Sequence, residues 1–179
     1  MNRTSTPRIL VAGIGNIFFG DDAFGCEVAR QLSNREVPEN VKVVDFGIRS
    51  FDLAYALLDG YDLNVLVDAT QRGGDPGTLY TLELEVDGDS ETSETAWEAH
   101  GLNLMKVLGL VKAMGGKPNR ILMVGCEPAA LGSEEEVLMG LSDPVQAAVR
   151  DAVGLVESLV ADFLDPIISI GKIQTTPQQ

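Results

Sequence analysis

Two stretches place acidic side chains where a folded chain usually does chemistry. The segment GIGNIFFGDDAFG (13–25) sets glycines and Asn16 in a tight turn, then two adjacent carboxylates, Asp21 and Asp22. A second apolar run, NVLVDAT (64–70), ends in Asp68. The chain has a single histidine, His100. Two carboxylates and an imidazole suit a borderline divalent metal such as nickel, zinc or manganese. Carboxylates brought together repel unless one protonates or a cation joins them. Each residue also has a plain structural reading: Asp22 as a helix cap, Asp68 as a strand-end side chain, His100 as a packed or solvent-facing ring. On spacing alone the structural reading stands ahead.

The same turn admits a second chemistry. Gly13-x-Gly15 follows an apolar run and precedes a helical pattern, as a dinucleotide-binding turn requires, and Asp45 sits where a ribose-binding carboxylate would. The third glycine of that motif is replaced by Phe18, and Asp21 and Asp22 would compete with a pyrophosphate at the helix N-terminus. Cys126, after a later apolar run, has the form of a nucleophile, but a small buried residue fits there equally, and packing is the expected role of Cys26 too. Glu127 is expected to be solvated. Trp97 is either a contact residue or folds back on the core.

The chain as a whole narrows the classes. It has 13 basic and 27 acidic residues, a formal charge of −14. That argues against a sequence-independent hold on nucleic acid or anionic membrane and suits cations or basic partner segments. Cys26 and Cys126 lie 100 residues apart with no CxxC, so neither a disulfide framework nor a zinc knuckle is expected, and the chain reads as cytoplasmic. ILVAGIGNIFF imitates a signal peptide, but glycines and Asn16 interrupt it and two aspartates follow. No run approaches the ~18 apolar residues of a membrane span.

The elements that must position these residues are legible as alternating strands and helices. RILVAG (8–13), VKVVDFG (41–47), NVLVDAT (64–70) and RILMVGCEP (120–128) read as strands, most of them continuous apolar runs of the kind buried on both faces. GTLYTLELEV (77–86) alternates apolar and polar, a strand with one wet face near an edge. Phe24, Val28 and Leu32 mark a first helix, capped by Asp21 or Asp22. Phe51, Ala54, Tyr55 and Leu58 mark a second, and Leu104, Val107, Leu108 and Val111 a third. Ser142 or Asp143 caps a last helix with Pro144 in its first turn and a stripe from Val145 to Phe163. An acidic loop (87–98) precedes the third helix. The order predicts one α/β domain over 1–165, a mostly parallel sheet with helices on both faces, and a loose tail over 166–179. Ligands then bind beyond the carboxyl ends of the strands, where Asp22 and Asp68 fall close together.

Taken together, ILVAGIGNIFFGDDAFG (9–25), VDFG (44–47), LVDAT (66–70), AHGLNLMKVLGL (99–110) and ILMVGCEP (121–128) resemble the hydrogenase maturation proteases. The resemblance covers roughly residues 8–163. It implies a three-layer fold whose five-stranded sheet has one antiparallel strand, assigned here to 77–86. It implies an endopeptidase that removes the C-terminal extension of a nickel–iron hydrogenase large-subunit precursor after nickel insertion. It identifies Asp22, Asp68 and His100 as the metal-contacting and catalytic positions, the nickel arriving within the precursor and no nucleotide being used. A chaperone that senses the metal without cutting needs the same three residues and stands as the alternative. There is no HExxH and no G-x-S-x-G, so zinc-protease and serine-protease schemes find no support.

Overall fold

The computed structural model describes residues 6–84 and 101–165, the side chains of 101–103 excepted. The apolar runs form strands β1 (Ile9–Ile14), β2 (Val41–Gly47), β3 (Leu63–Ala69), β4 (Leu79–Leu84) and β5 (Arg120–Cys126). They assemble in the order β2-β1-β3-β5-β4. All neighbours are parallel except β4, which runs antiparallel to β5 at one edge. The central position of β1, β3 and β5 explains their mainly apolar composition, interrupted only by Asn64 and Asp68 in β3 and by exposed Arg120 at the start of β5: each is covered on both faces. No residue of β4 is fully buried, in keeping with its alternating sequence and its edge position.

Helices α1 (Phe24–Ser33), α2 (Ser50–Leu58), α3 (Gly101–Ala113) and α4 (Asp143–Leu164) cover the sheet. Odd and even residues of β1 go to opposite cores, as the two-residue period of a strand requires. Ile9 and Val11 join Phe24 and Val28 of α1 and Val149 and Val156 of α4. Leu10 and Ala12 join Leu53 and Leu57 of α2 and Val107 and Val111 of α3. Burying a side chain of this size contributes about 1.5–3 kcal/mol.

Helix α2 exists as expected but presents another face. Of the four residues predicted to form its apolar stripe, only Ala54 is fully buried; Leu53 and Leu57 complete the packed face. Phe51 and Tyr55 point outward, 68% and 62% exposed. Both pairs repeat at i, i+4, so helical period alone gives no phase, and the partner, α3 with the sheet, selects Leu53 and Leu57. The acidic loop, Trp97, His100 and the tail 166–179 lie outside the described residues. Among the described residues no helix is long and apolar enough to cross a membrane.

Candidate active site

A cleft of about 320 Å³ opens beyond the carboxyl ends of β1, β2 and β3. Its walls come from the turn after β1, the β2–α2 connection over Phe46–Ser50, and Leu104, Lys106 and Val107 of α3. Asp22 and Asp68 both line it. The spatial order β2-β1-β3 makes this the switch point of the sheet, where chain connections diverge and a crevice must form.

The turn is built by close approach. Gly15 has φ +138°, and a Cβ there would fall 1.7 Å from the carbonyl oxygen of Asp22. Gly13 has a different part from the turning role its sequence context implies: it lies in β1, and a Cβ there would meet the carbonyl of Gly25 at 2.3 Å. With Gly25 itself packed against the carbonyls of Val67 and Ile14, the start of α1 lies directly on the strand ends. That contact brings the 3₁₀ turn Asp21–Ala23, and with it Asp22, to the end of β3.

Asp21 and Asp22 divide the work. Asp21 is fully buried and accepts four hydrogen bonds: from the N–H of Ala129 and Ala130, each at 2.8 Å, and from the N–H and hydroxyl of Ser142 at 2.6 and 2.8 Å. It ties the segment after β5 and the start of α4 to the turn after β1. Asp22 accepts from the N–H of Asn16 at 2.7 Å and sits on the cleft wall. Neither caps α1, contrary to the sequence expectation, and Ser142, though at the N-cap position of α4, gives its hydroxyl to Asp21 rather than to the helix. Asp68, 5% exposed, accepts from the N–H of Ala69 at 2.8 Å.

The same turn bears on the dinucleotide reading. A phosphate cradle needs backbone N–H groups aimed outward. Here Gly15 donates to Gly47, Asn16 to the Asp22 carboxylate, Phe18 to the Asn16 side chain and Gly20 to Leu138. Asp21 donates to Ala130 and Asp22 to Phe19. These donors are spent on closing the turn. The Asp45 carboxylate accepts from Gly47 N–H and shapes the next loop.

Glu127 corrects a second expectation. It is 5% exposed rather than solvated. It accepts from the N–H of Arg72 and Gly73 and from the hydroxyl of Tyr80 at 2.8, 3.1 and 2.8 Å. Burial pushes its carboxyl up, but these hydrogen bonds with that of Gly74 outweigh it and hold the group below the ordinary glutamate range.

Both cysteines are buried. Cys26 donates to the Gly15 carbonyl at 3.4 Å, and burial, then the carboxylates of Asp45, Asp68 and Asp22, push its thiol well up. Burial, then Asp21 and Glu127, push Cys126 up to about 12. Protonated and enclosed, they pack rather than attack.

The cleft also holds two cationic side chains that sequence reading did not single out, Arg49 and Lys106. Arg49 donates to the carbonyls of Phe46 and Asp45 and pairs with Asp52 at 3.5 Å, pinning the β2–α2 connection. Among the described residues no set of three His, Cys, Asp or Glu side chains gathers as a metal site. Asp22 and Asp68 come as a pair; His100, the third expected member, lies outside the described residues and precedes Gly101, where α3 begins.

Comparison with known proteins gives a consistent result. Residues 26–159 match the family model for hydrogenase maturation protease. The hydrogenase expression/formation protein HupD of Rhizobium leguminosarum bv. viciae is 31% identical over 148 residues, 82% of this chain and 71% of its own. The hydrogenase maturating endopeptidase HybD of Escherichia coli superposes with a TM-score of 0.70 at 27% identity, covering 87% of this chain and 93% of that one. The hydrogenase 2 maturation peptidase of a Thaumarchaeota archaeon gives 0.66 at 33% identity, covering 86% and 98%. The five-stranded sheet, its single antiparallel edge and the sequence matches lead to one assignment: the chain belongs to the hydrogenase maturation protease family.

Proposed function

We propose that this protease removes the C-terminal extension of a nickel–iron hydrogenase large-subunit precursor, and does so only after nickel has been inserted. The observation that carries the reading is the pair Asp22 and Asp68 lining one cleft at the switch point of the sheet. Nickel arrives as part of the substrate and brings Lewis acidity with it. The chain supplies negative charge in fixed positions. Asp22 is oriented by Asn16 N–H and Asp68 by Ala69 N–H, so each carboxylate meets a metal with little reorganisation. Carboxylate oxygens, with the imidazole of His100 as third contact, form a suitable donor set for nickel. A metal-free precursor lacks the cation these groups attract, which makes metal loading a checkpoint. The cytoplasmic location and the absence of a nucleotide cofactor belong to the same reading.

Incubating the purified protein with nickel-loaded and with metal-free precursor tests this directly. The large subunit shortens only in the loaded sample. Equal cleavage of both removes the checkpoint; binding of loaded precursor without shortening favours the non-cleaving chaperone.

A further inference from the structure

The phase of α2 leaves an unpaired surface. Ile48, Phe51 and Tyr55 follow one another at helical spacing on the outward side of the β2–α2 segment, 67%, 68% and 62% exposed. Ile48 itself lines the cleft, so the apolar stripe starts at the cleft mouth and runs away from it along α2. Ile17 and Phe18, each 50% exposed, stand on the opposite rim beside Asn16 and Phe19. Met105 of α3 stands between two cleft-lining residues and is 59% exposed. A chain carrying 27 acidic residues has ample polar side chains for such positions, yet six of the ten large apolar side chains exposed among the described residues line this cleft, adjoin its lining residues in the chain or continue along α2. Aromatic side chains grouped this way are the usual energetic anchors of protein interfaces. The β2–α2 segment is held for the purpose by Arg49, whose guanidinium clamps the carbonyls of Asp45 and Phe46.

Resting on the reading of the cleft given above, we propose that Ile48, Phe51 and Tyr55 form an exosite that binds an apolar segment of the precursor bearing Lys or Arg residues, so that its C-terminal extension is fed into the cleft. Charge selects this occupant. The protein carries a formal charge of −14, and three carboxylates, Asp45, Asp52 and Asp59, flank the stripe against one cation, Arg49, which pairs with Asp52. A second copy of this acidic chain is repelled from the face; a basic, apolar segment is drawn to it. The stripe supplies affinity and the flanking charge supplies encounter rate.

The test uses the full chain and the nickel-loaded large-subunit precursor encoded in the same genome, fluorescently labelled. Kd is measured by anisotropy and cleavage by the shortened product. The double variant Phe51→Gln/Tyr55→Gln keeps good helix formers at exposed positions, and a melting curve matching the parent confirms its fold. Met114→Gln, an exposed apolar position in the turn after α3, is the control. The double variant is expected to weaken Kd about tenfold or more and raise KM with kcat kept, while the control changes neither. Binding to the parent is expected to weaken further with added salt. An unchanged Kd in the double variant, or equal weakening in the control, overturns the exosite while cleavage by the parent keeps the protease reading intact. If the parent binds without cleaving, the protease reading falls and the exosite is still decided by Kd. Self-association of the parent that the double variant abolishes assigns the face to a second copy and overturns the proposal.

Discussion

The carboxylates of Asp21 and Asp22 are consecutive in the chain and serve different parts of the molecule. Asp21 is enclosed by the N–H groups of Ala129, Ala130 and Ser142 and by the Ser142 hydroxyl. Asp22 accepts from Asn16 and lines the cleft. Replacing Asp21 with Ala removes a fully buried acceptor from three backbone N–H groups. The expected cost is about 3–4 kcal/mol, against about 1 kcal/mol for Ser142→Ala. Denaturant unfolding of the two variants measures this, and comparable midpoints would show that Asp21 is not the latch described.

Asp68→Asn is expected to fold like the parent and to lose precursor processing. The amide oxygen can still accept from Ala69 N–H, so shape and packing survive. What disappears is the negative charge that attracts a divalent metal. Loss of one of two neighbouring carboxylates also relieves repulsion, so the melting temperature of the metal-free protein stays level or rises slightly. A lowered melting temperature with cleavage retained would mark Asp68 as structural only. Asp22→Asn, whose oxygen can still receive Asn16 N–H, is held to the same pair of measurements.

Two glycines with positive φ separate conformation from contact. Gly60 has φ +74° with open space where a Cβ would sit; Gly15 has φ +138° with the Asp22 carbonyl there. Gly60→Ala is expected to cost about 1 kcal/mol, the conformational term alone. Gly15→Ala adds a backbone clash and costs about 3 kcal/mol or more, and by displacing Asp22 it impairs processing as well. Urea unfolding and cleavage on both variants read the difference.

Glu127 gives the fold a defined acid sensitivity. Its carboxyl is held below the ordinary glutamate value in the folded protein, because hydrogen bonds from Arg72, Tyr80, Gly74 and Gly73 outweigh its burial. The stability it contributes is complete above the unfolded glutamate value and is lost as pH falls through the lower folded value. Glu127→Gln is therefore expected to be less stable than the parent at neutral pH. The gap should narrow as pH drops below about 4. Melting temperatures of both proteins across that window check the sign; a gap that widens on acidification refutes it.

The elements of this fold were legible because they follow from local pattern. Mainly apolar runs at β1, β3 and β5 require cover on both faces, and alternation in β4 requires an edge. Periodicity in α1 and α4 also carried phase, since Phe24, Val28 and Leu32, or Val145, Val149 and Val156, have no competing stripe of equal strength. In α2 two apolar pairs, Phe51 with Tyr55 and Leu53 with Leu57, offered equal periods. Only packing against α3 and the sheet decided between them.

The site divides in the same way. Residue type and position after a strand already drew attention to Asp22 and Asp68, because strand ends at a switch point border a crevice whatever the remaining sequence. Local pattern does not separate Asp21 from Asp22, identical neighbours in the chain; the family resemblance picks out Asp22 but gives Asp21 no part. Their different fates depend on residues more than a hundred positions away, at Ala129, Ala130 and Ser142. Glu127 likewise looks like a surface residue until the 72–73 loop and Tyr80 fold over it. Sequence determined which segments are strands and helices, and which carboxylates stand at strand ends, since both follow from short-range composition and period. Tertiary structure decided which carboxylate is a buried latch and which faces the cleft, because that depends on long-range hydrogen-bond donors that no local pattern records.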